Sequence, residues 1–202
     1  QVCKSPSEIF ARKVLIIAEL SIPQCTKYRV TQKKEMFDLL GIDCKIVSWH
    51  EHEEAKKWIS LSSLVIFYRV PGFDGVISLI DECKRLGVKS IWDVDDLIFD
   101  QRVLEESSTI NSLAKKDRVP LINGAKLYRK AMLACDEGMA STAGLAAAMK
   151  DAGMSKVYVL ENALDRETIA IANQNPLITL SGSTDKVRTI HGSGPTPHNV
   201  DS

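Results

Sequence analysis

The sequence predicts an α/β fold, a Rossmann-like three-layer αβα domain around a mostly parallel sheet. Three observations carry this. KVLIIAEL and SSLVIFYRV are apolar runs of strand length without polar alternation, as in strands buried on both faces. Between such runs lie segments with helical spacing, such as FDGVISLIDECKRLG, which Gly87 stops. Strand and helix alternate at a period of about 25 residues through the first half of the chain, the pattern of βαβ units with right-handed crossovers.

The elements follow in order. Lys13 to Leu20 is bounded by charge and then by Ser21 and Pro23, and reads as the first buried strand; SIPQCTKY reads as a loop. RVTQKKEMFDLLG places Val30, Met36, Phe37, Leu39 and Leu40 at near-helical spacing and ends at Gly41. Asp43 to Trp49 is a second strand, EHEEAKKWISL a short charged helix, and Ser62 to Val70 a third strand ending at Pro71-Gly72. VKSIWDVDD contains a fourth strand. Gln101 to Pro120 is polar and poorly periodic, and reads as a long loop with some helix. Ile122 to Ala134 reads as a helix and Asp136 to Ala140 as a short strand. Ser141 or Thr142 can cap AGLAAAMKDAG, which Gly153 stops. KVYVLENALD is a strand running into a loop, Glu167 to Asn173 a helix, and NPLITLSGSTDK a linker. VRTIHGSGPTPH opens a new strand-like run that breaks into a Gly/Pro loop.

Bulk composition narrows the function. The chain has 202 residues, 45% of them hydrophobic, and 26 basic residues balance 26 acidic ones. That balance speaks against a nucleic-acid binder, which shows a basic excess. No apolar run reaches the roughly 18 to 20 residues of a membrane span, and QVCKSPSEIFARK lacks the apolar core of a signal peptide. Five cysteines without CxxC spacing (Cys3, Cys25, Cys44, Cys83, Cys135) fit reduced thiols in a cytoplasm. Cys25 stands apart because it lies in a loop.

In an open parallel sheet, ligands bind outside the carboxyl ends of the strands. Those ends carry Cys25, Thr26, Lys27, Tyr28 and Arg29; then His50 and His52; then Tyr68 and Arg69; then Asp93, Asp95 and Asp96; and finally Glu161, Asn162 and Asp165. Carboxylates packed this densely repel one another and are costly to bury unpaired. Arg29 and Arg69 either neutralise the aspartates or meet a ligand. HEHEE reads as metal ligands by residue type or as the solvated first turn of a helix. DVDD offers carboxylate oxygens to a cation or caps the next segment. Alternation sends Asp93 and Asp95 to one side and Asp96 to the other. The sequence has no GxxxxGK[ST], no GxGxxG after the first strand, no GxSxG and no HExxH.

CTKYRV after the first strand, WDVDDLIFD after the fourth, VLENALD, and then IHGSGPTPHNVD together resemble the N-terminal half of a group 1 glycosyltransferase with the GT-B fold, of the type that builds bacterial surface polysaccharides. The resemblance covers about Lys13 to Asp201. It implies that residues 1–12 are an N-terminal extension, 13–180 an acceptor-side Rossmann-like domain, and 181–202 a linker and the start of a donor-binding domain that the chain does not contain. It implies a parent enzyme that transfers a sugar from a nucleotide-sugar donor to a glycan or lipid-linked acceptor, in capsule or lipopolysaccharide synthesis. No cofactor and no metal are implied, since the nucleotide sugar is the substrate. Asp95 and Asp96 would be the catalytic residues that orient the acceptor. Tyr28, Arg29, Arg69, Asp93 and Asn162 would bind substrate, and Gly192, Ser193 and Gly194 would form the donor-phosphate loop. Many relatives carry a His after the fourth strand where this chain has Asp, and its first loop lacks their paired glycines. The chain alone is expected to show no transfer, and no nucleic-acid partner is expected. The location expected is cytoplasmic; Lys33, Lys34, Lys56 and Lys57 read as a solvated surface, with a basic face in peripheral contact with anionic lipid at the inner membrane face as the alternative. The alternative is a non-catalytic Rossmann- or flavodoxin-like binding module.

Overall fold

Six strands pair in parallel in the order β2-β1-β3-β4-β5-β6. They are β1 (Lys13–Ala18), β2 (Asp43–Ser48), β3 (Leu64–Tyr68), β4 (Lys89–Val94), β5 (Glu137–Ala140) and β6 (Val157–Val159). The computed structural model describes residues 12–174. The helices are α1 (Pro23–Thr26), α2 (Gln32–Leu39), α3 (His52–Ile59), α4 (Asp74–Leu86), α5 (Gln101–Glu106), α6 (Ser108–Ser112), α7 (Lys115–Ala134), α8 (Ala143–Asp151) and α9 (Arg166–Gln174). The predicted α/β Rossmann-like architecture is therefore the observed one, and the sheet is wholly parallel.

The strand order fixes which helices lie on which face. The step from β1 to β2 runs one way along the sheet, and every later step runs the other way. Right-handed crossovers then place the β1–β2 connection on one face and the later helices on the opposite one. Two apolar clusters reflect this. Val30 of the first connection packs with Val14, Ile16, Ile66 and Tyr68. Ala55, Ile80, Met132 and Met149, from α3, α4, α7 and α8, pack with Leu15, Phe67 and Trp92 on the other face. The order reverses between β1 and β3, and this is where an open sheet leaves a crevice. The register brings Ala18 level with Ser48 and Tyr68, and Tyr68 level with Asp93, so the strands end together beside it.

Local chemistry sets the boundaries. Gly87 takes φ 68° as the left-handed cap of α4. The Thr142 hydroxyl accepts from the Leu145 N–H at 3.2 Å and caps α8. Three expectations are corrected. The stretch read as a loop from Gln101 to Pro120 is largely helical, because Asp100 accepts from Arg102 N–H (3.0 Å) and Ser107 from Ile110 N–H (3.4 Å), capping two short helices. The helix expected from Ile122 begins at Lys115 and carries Pro120 inside it. SIPQCTKY is also not a loop: α1 opens at Pro23, whose fixed φ suits a first helical position, and runs into a π-helical turn, Lys27–Thr31.

A second compact unit begins at Asp165. In it the Asp165 carboxylate accepts from the Thr168 N–H at 2.7 Å and caps α9. Residues 1–11 and 175–202, including NPLITLSGSTDK and the Gly192, Ser193, Gly194 loop, lie outside the described residues. No helix among the described residues is long and apolar enough to cross a membrane.

Candidate functional site

The aspartate-rich segment after β4 is held by its apolar half. Trp92 is fully buried, donates its indole N–H to the Val70 carbonyl (3.2 Å), and meets Phe99 edge-on at 5.9 Å. Leu97 and Ile98 pack on the same core. The chain thus leaves the sheet after Val94 and returns to it at Phe99, and the aspartates are presented in the arc between.

They divide into a buried group and a surface group. Asp93 is 0% exposed, with Arg29 at 1% and Lys33 at 4%. One Asp93 oxygen takes the Arg29 guanidinium and the other the Lys33 ammonium. Arg29 also donates to the Leu160 carbonyl (2.6 Å) and to Asn162 Oδ1 (3.2 Å), while Lys33 donates to the Arg29 carbonyl (2.9 Å). The π-helical turn is thereby tied to the ends of β4 and β6. Burial pushes the Lys33 amine down, and the Asp93 charge opposes this.

The surface group gathers around Arg69. β3 ends at Tyr68, and Arg69 turns into the left-handed region at φ 52°, its N–H donating to the Asp93 carbonyl at 2.9 Å. For a long side chain that conformation is uncommon, and it occurs where surrounding structure imposes it. The Arg69 guanidinium meets Asp95 at 3.4 Å and also pairs with Asp96. The Tyr68 hydroxyl donates to Asp95 at 2.9 Å. Burial and the Asp95 charge both push the Tyr68 phenol up. Burial alone would lower Arg69, but its hydrogen bond and ion pair with Asp96 hold it above the ordinary value. Burial, followed by the Asp95 charge, raises the Cys25 thiol. Tyr28 stands exposed on the π-helical turn.

The Cys25 sulfur and carboxylate oxygens of Asp95 and Asp96 lie within 4.8 Å of one another, the one group of metal-ligating side chains among the described residues. Arg69 already pairs with both carboxylates there. What the surface group offers is two carboxylates that accept from hydroxyls and a guanidinium that can bind phosphate or hold them in place.

Beyond β1 and β2 lies a third group. Glu19 accepts from the Trp49 indole N–H and from the Ser21 backbone N–H, both at 2.8 Å. Trp49 meets His50 in a tilted contact at 3.8 Å and stacks on Phe73 at 5.9 Å. His52 packs its ring where Gly75 lacks a side chain; a Cβ there would fall 1.8 Å from His52 Cε1. The two histidines are therefore in aromatic and packing contacts. Burial pushes the phenol of Tyr128, on α7, up, while the Arg69 charge lowers it and the Glu19 charge raises it.

The structure thus brings Arg69, Asp95 and Asp96 together, joins Arg29, Asp93 and Asn162 in a separate buried group, and leaves Tyr28 exposed on the π-helical turn. Asp96 reaches the same guanidinium as Asp95 rather than the opposite face, because β4 ends at Val94 and alternation no longer governs residue 96. Lys33, Lys34, Lys56 and Lys57 do not form one basic face: Lys33 is buried on Asp93, Lys34 pairs with Asp38 at 2.7 Å, and Lys57 lies 3.8 Å from Glu54. Sequence reading placed Tyr68 at the strand ends without a role for its hydroxyl, and missed Lys33 and the Glu19–Trp49 pair as parts of these groups. Lys33 was findable, since it lies four residues after Arg29 and so shares its helical face.

No family model and no curated protein sequence matches the chain. Solved structures match its fold at low identity. A short-chain dehydrogenase/reductase (wide type) from Veillonella parvula DSM 2008, in complex with NADP, is 11% identical over 59% of this chain and 63% of its own, with a TM-score of 0.38. A UDP-glucosyltransferase from Polygonum tinctorium, capable of glucosylating indoxyl, is 12% identical over 82% of this chain and 56% of its own, with a TM-score of 0.42. The chain therefore spans less than two thirds of either protein.

Proposed function

We propose that this chain is the acceptor-side domain of a glycosyltransferase that moves a sugar from a nucleotide-sugar donor to a glycan or lipid-linked acceptor in polysaccharide synthesis. The observation that carries this reading is the Arg69–Asp95–Asp96 group at the strand ends beside the β1/β3 reversal. The CTKYRV, WDVDDLIFD and VLENALD segments support it, since they supply Asp95 and Asp96 of that group and Arg29, Asp93 and Asn162 of the buried one.

Glycosyl transfer passes through a state with positive charge on the sugar while a diphosphate leaves. It needs a positioned acceptor hydroxyl and stabilised phosphate charge. In this reading Asp95 and Asp96 accept from acceptor hydroxyls, Arg69 fixes the two carboxylates, and Tyr28 covers the acceptor from the side. Arg29 and Asp93 act from below, bracing the turn that carries Tyr28, and Asn162 belongs to that brace. Gly192, Ser193 and Gly194 would approach the donor diphosphate, and residues 181–202 would open the donor-binding half.

The test is transfer of label from a panel of nucleotide sugars into membrane and glycan fractions by the whole gene product. Asp95→Asn should lower kcat/KM by about a hundredfold, the scale of removing one well-placed polar group. Transfer at the wild-type rate by Asp95→Asn and Asp96→Asn would sink the assignment. The strand order favours a second reading, because β2-β1-β3-β4-β5 is also the flavodoxin-like order, with its ligand at the same reversal. Nucleotide binding without transfer by the whole gene product would favour that binding module.

A further inference from the structure

The rings beyond β1 and β2 have no part in the Arg69–Asp95–Asp96 group, yet they stand beside it. Backbone bonds carry the sheet past its last strand residues. The Trp49 N–H donates to the Ala18 carbonyl and the Glu19 N–H to the Tyr68 carbonyl, both at 3.1 Å, and the Arg69 N–H donates to the Asp93 carbonyl at 2.9 Å. Trp49, Glu19 and Arg69 therefore leave the neighbouring strands β2, β1 and β3 at one level. At a strand spacing of about 4.8 Å, the backbones of Trp49 and Arg69 stand roughly 10 Å apart, the reach of two linked pyranose rings.

The rings are held in place. Phe73, four residues after Arg69 and at the entry to α4, is 48% exposed. It lies against Trp49 at an interplanar angle of 15°, and the exposed His50 meets Trp49 as well. The Trp49 indole N–H is tied to one oxygen of Glu19, and the other oxygen accepts from the Ser21 N–H. Burial would raise the Glu19 carboxyl, but these bonds hold it below its ordinary value, so it is ionised at neutral pH. A lone exposed Phe is ordinary. One backed by a second ring, itself tied to a carboxylate, gives up little freedom when a ligand covers it.

Charge selects the ligand. Asp95 and Asp96 share the single guanidinium of Arg69, and Glu19 accepts from two neutral N–H groups. Beside His50 a depression of about 590 Å³, lined by His50, Glu51, His52, Glu53, Glu54 and Lys57, carries three carboxylates against one ammonium. The surroundings of the rings are acidic. A nucleobase would stack on Phe73, but the phosphates it carries would meet these carboxylates. A neutral sugar brings no such charge. Its C–H face covers an aromatic ring while its hydroxyls donate to carboxylates.

We propose that Phe73, backed by Trp49, is a second saccharide subsite, which holds the sugar next to the one whose hydroxyls meet Asp95 and Asp96. The acceptor it implies ends in two uncharged sugars rather than in a single or a phosphorylated one. The subsite rests on the reading of the Arg69–Asp95–Asp96 group as the place where the acceptor hydroxyl is held.

The test is an NMR titration of the full chain with methyl glucoside, methyl galactoside and methyl mannoside, and with the methyl glycosides of disaccharides built from each. A disaccharide should bind about tenfold tighter than its monosaccharide, the scale of one aromatic contact. It should also shift the Phe73 ring and Trp49 indole signals. Phe73→Ala should bring the disaccharide down to the affinity of the monosaccharide, and Phe73→Tyr should keep the gain. Phe73 is exposed, so an unchanged unfolding midpoint would show that Phe73→Ala remains folded. Disaccharides that bind no tighter than monosaccharides, or that bind Phe73→Ala as they bind the wild type, overturn the subsite and leave the reading of the Arg69 group in place. Uridine monophosphate that shifts Phe73 and Trp49 where no saccharide does also overturns it, and assigns the rings to a nucleobase. No binding of any saccharide overturns the reading of the Arg69 group and the subsite together.

Discussion

Replacing Asp93 by Asn removes the carboxylate on which two buried cations converge. Arg29 and Lys33, 1% and 4% exposed, would keep their charges where water cannot reach them. Breaking a buried ion pair by removing one partner costs about 3 to 5 kcal/mol. Domains are stable by only about 5 to 15 kcal/mol, so the loss is large. At a urea dependence near 2 kcal/mol per molar, a loss of about 4 kcal/mol lowers the unfolding midpoint by about 2 M. The loss should depend on pH. Burial pushes the Lys33 amine below its ordinary 10.5, and Asp93 is the main influence raising it. Between the lowered native value and 10.5, the unfolded chain holds a proton that the native chain has released, so stability rises with pH there. Without Asp93 the native value falls further and the window widens. The Asp93→Asn penalty should therefore shrink as pH rises from neutral toward 10.5. Replacing all three residues with apolar ones of similar size should restore much of the stability. Urea titrations monitored by tryptophan fluorescence read all of this. A midpoint shift under about 0.5 M, or a penalty independent of pH, would refute the argument that the charges are coupled and dry.

Three further outcomes are expected. Cys25 should alkylate more slowly than free cysteine at mildly alkaline pH, because burial and Asp95 hold its thiol above 9.0, and Asp95→Asn should speed it. Peptide mass mapping separates it from buried Cys44 and Cys83, whose thiols are pushed up to about 11 and about 12. Gly72→Ala should destabilise by about 2 kcal/mol in thermal unfolding, since a Cβ there would meet the Ala131 nitrogen and Leu127 carbonyl at 2.8 Å, both backbone atoms that cannot rotate away. Thr142→Ala should cost about 1 kcal/mol by uncapping α8, and Thr142→Ser should recover most of it.

The parts legible from sequence were those with local causes. Buried strands announce themselves as unbroken apolar runs, and the glycine stops at Gly87 and Gly153 fall where their helices end. The pairing of Arg29 and Arg69 with the aspartates followed from the cost of leaving such acids unneutralised. What stayed hidden depended on neighbours distant in the chain. α5 and α6 are too short to show periodicity and rest on single capping side chains. The place of β1 between β2 and β3, which fixes where the crevice lies, is a tertiary fact with no local signature. Lys33 looked like a surface charge because its partner lies 60 residues away. His52 looked available until the missing side chain of Gly75 explained where its ring goes.

The most direct test of the central claim is an isotope-resolved NMR titration of this chain with methyl glycosides and with nucleotide sugars. The account predicts that the amides and side chains of Tyr28, Arg69, Asp95 and Asp96 shift together with one saccharide class, and that Asp95→Asn abolishes those shifts. Saccharide-induced shifts that gather elsewhere in the fold, or that survive Asp95→Asn unchanged, would contradict it.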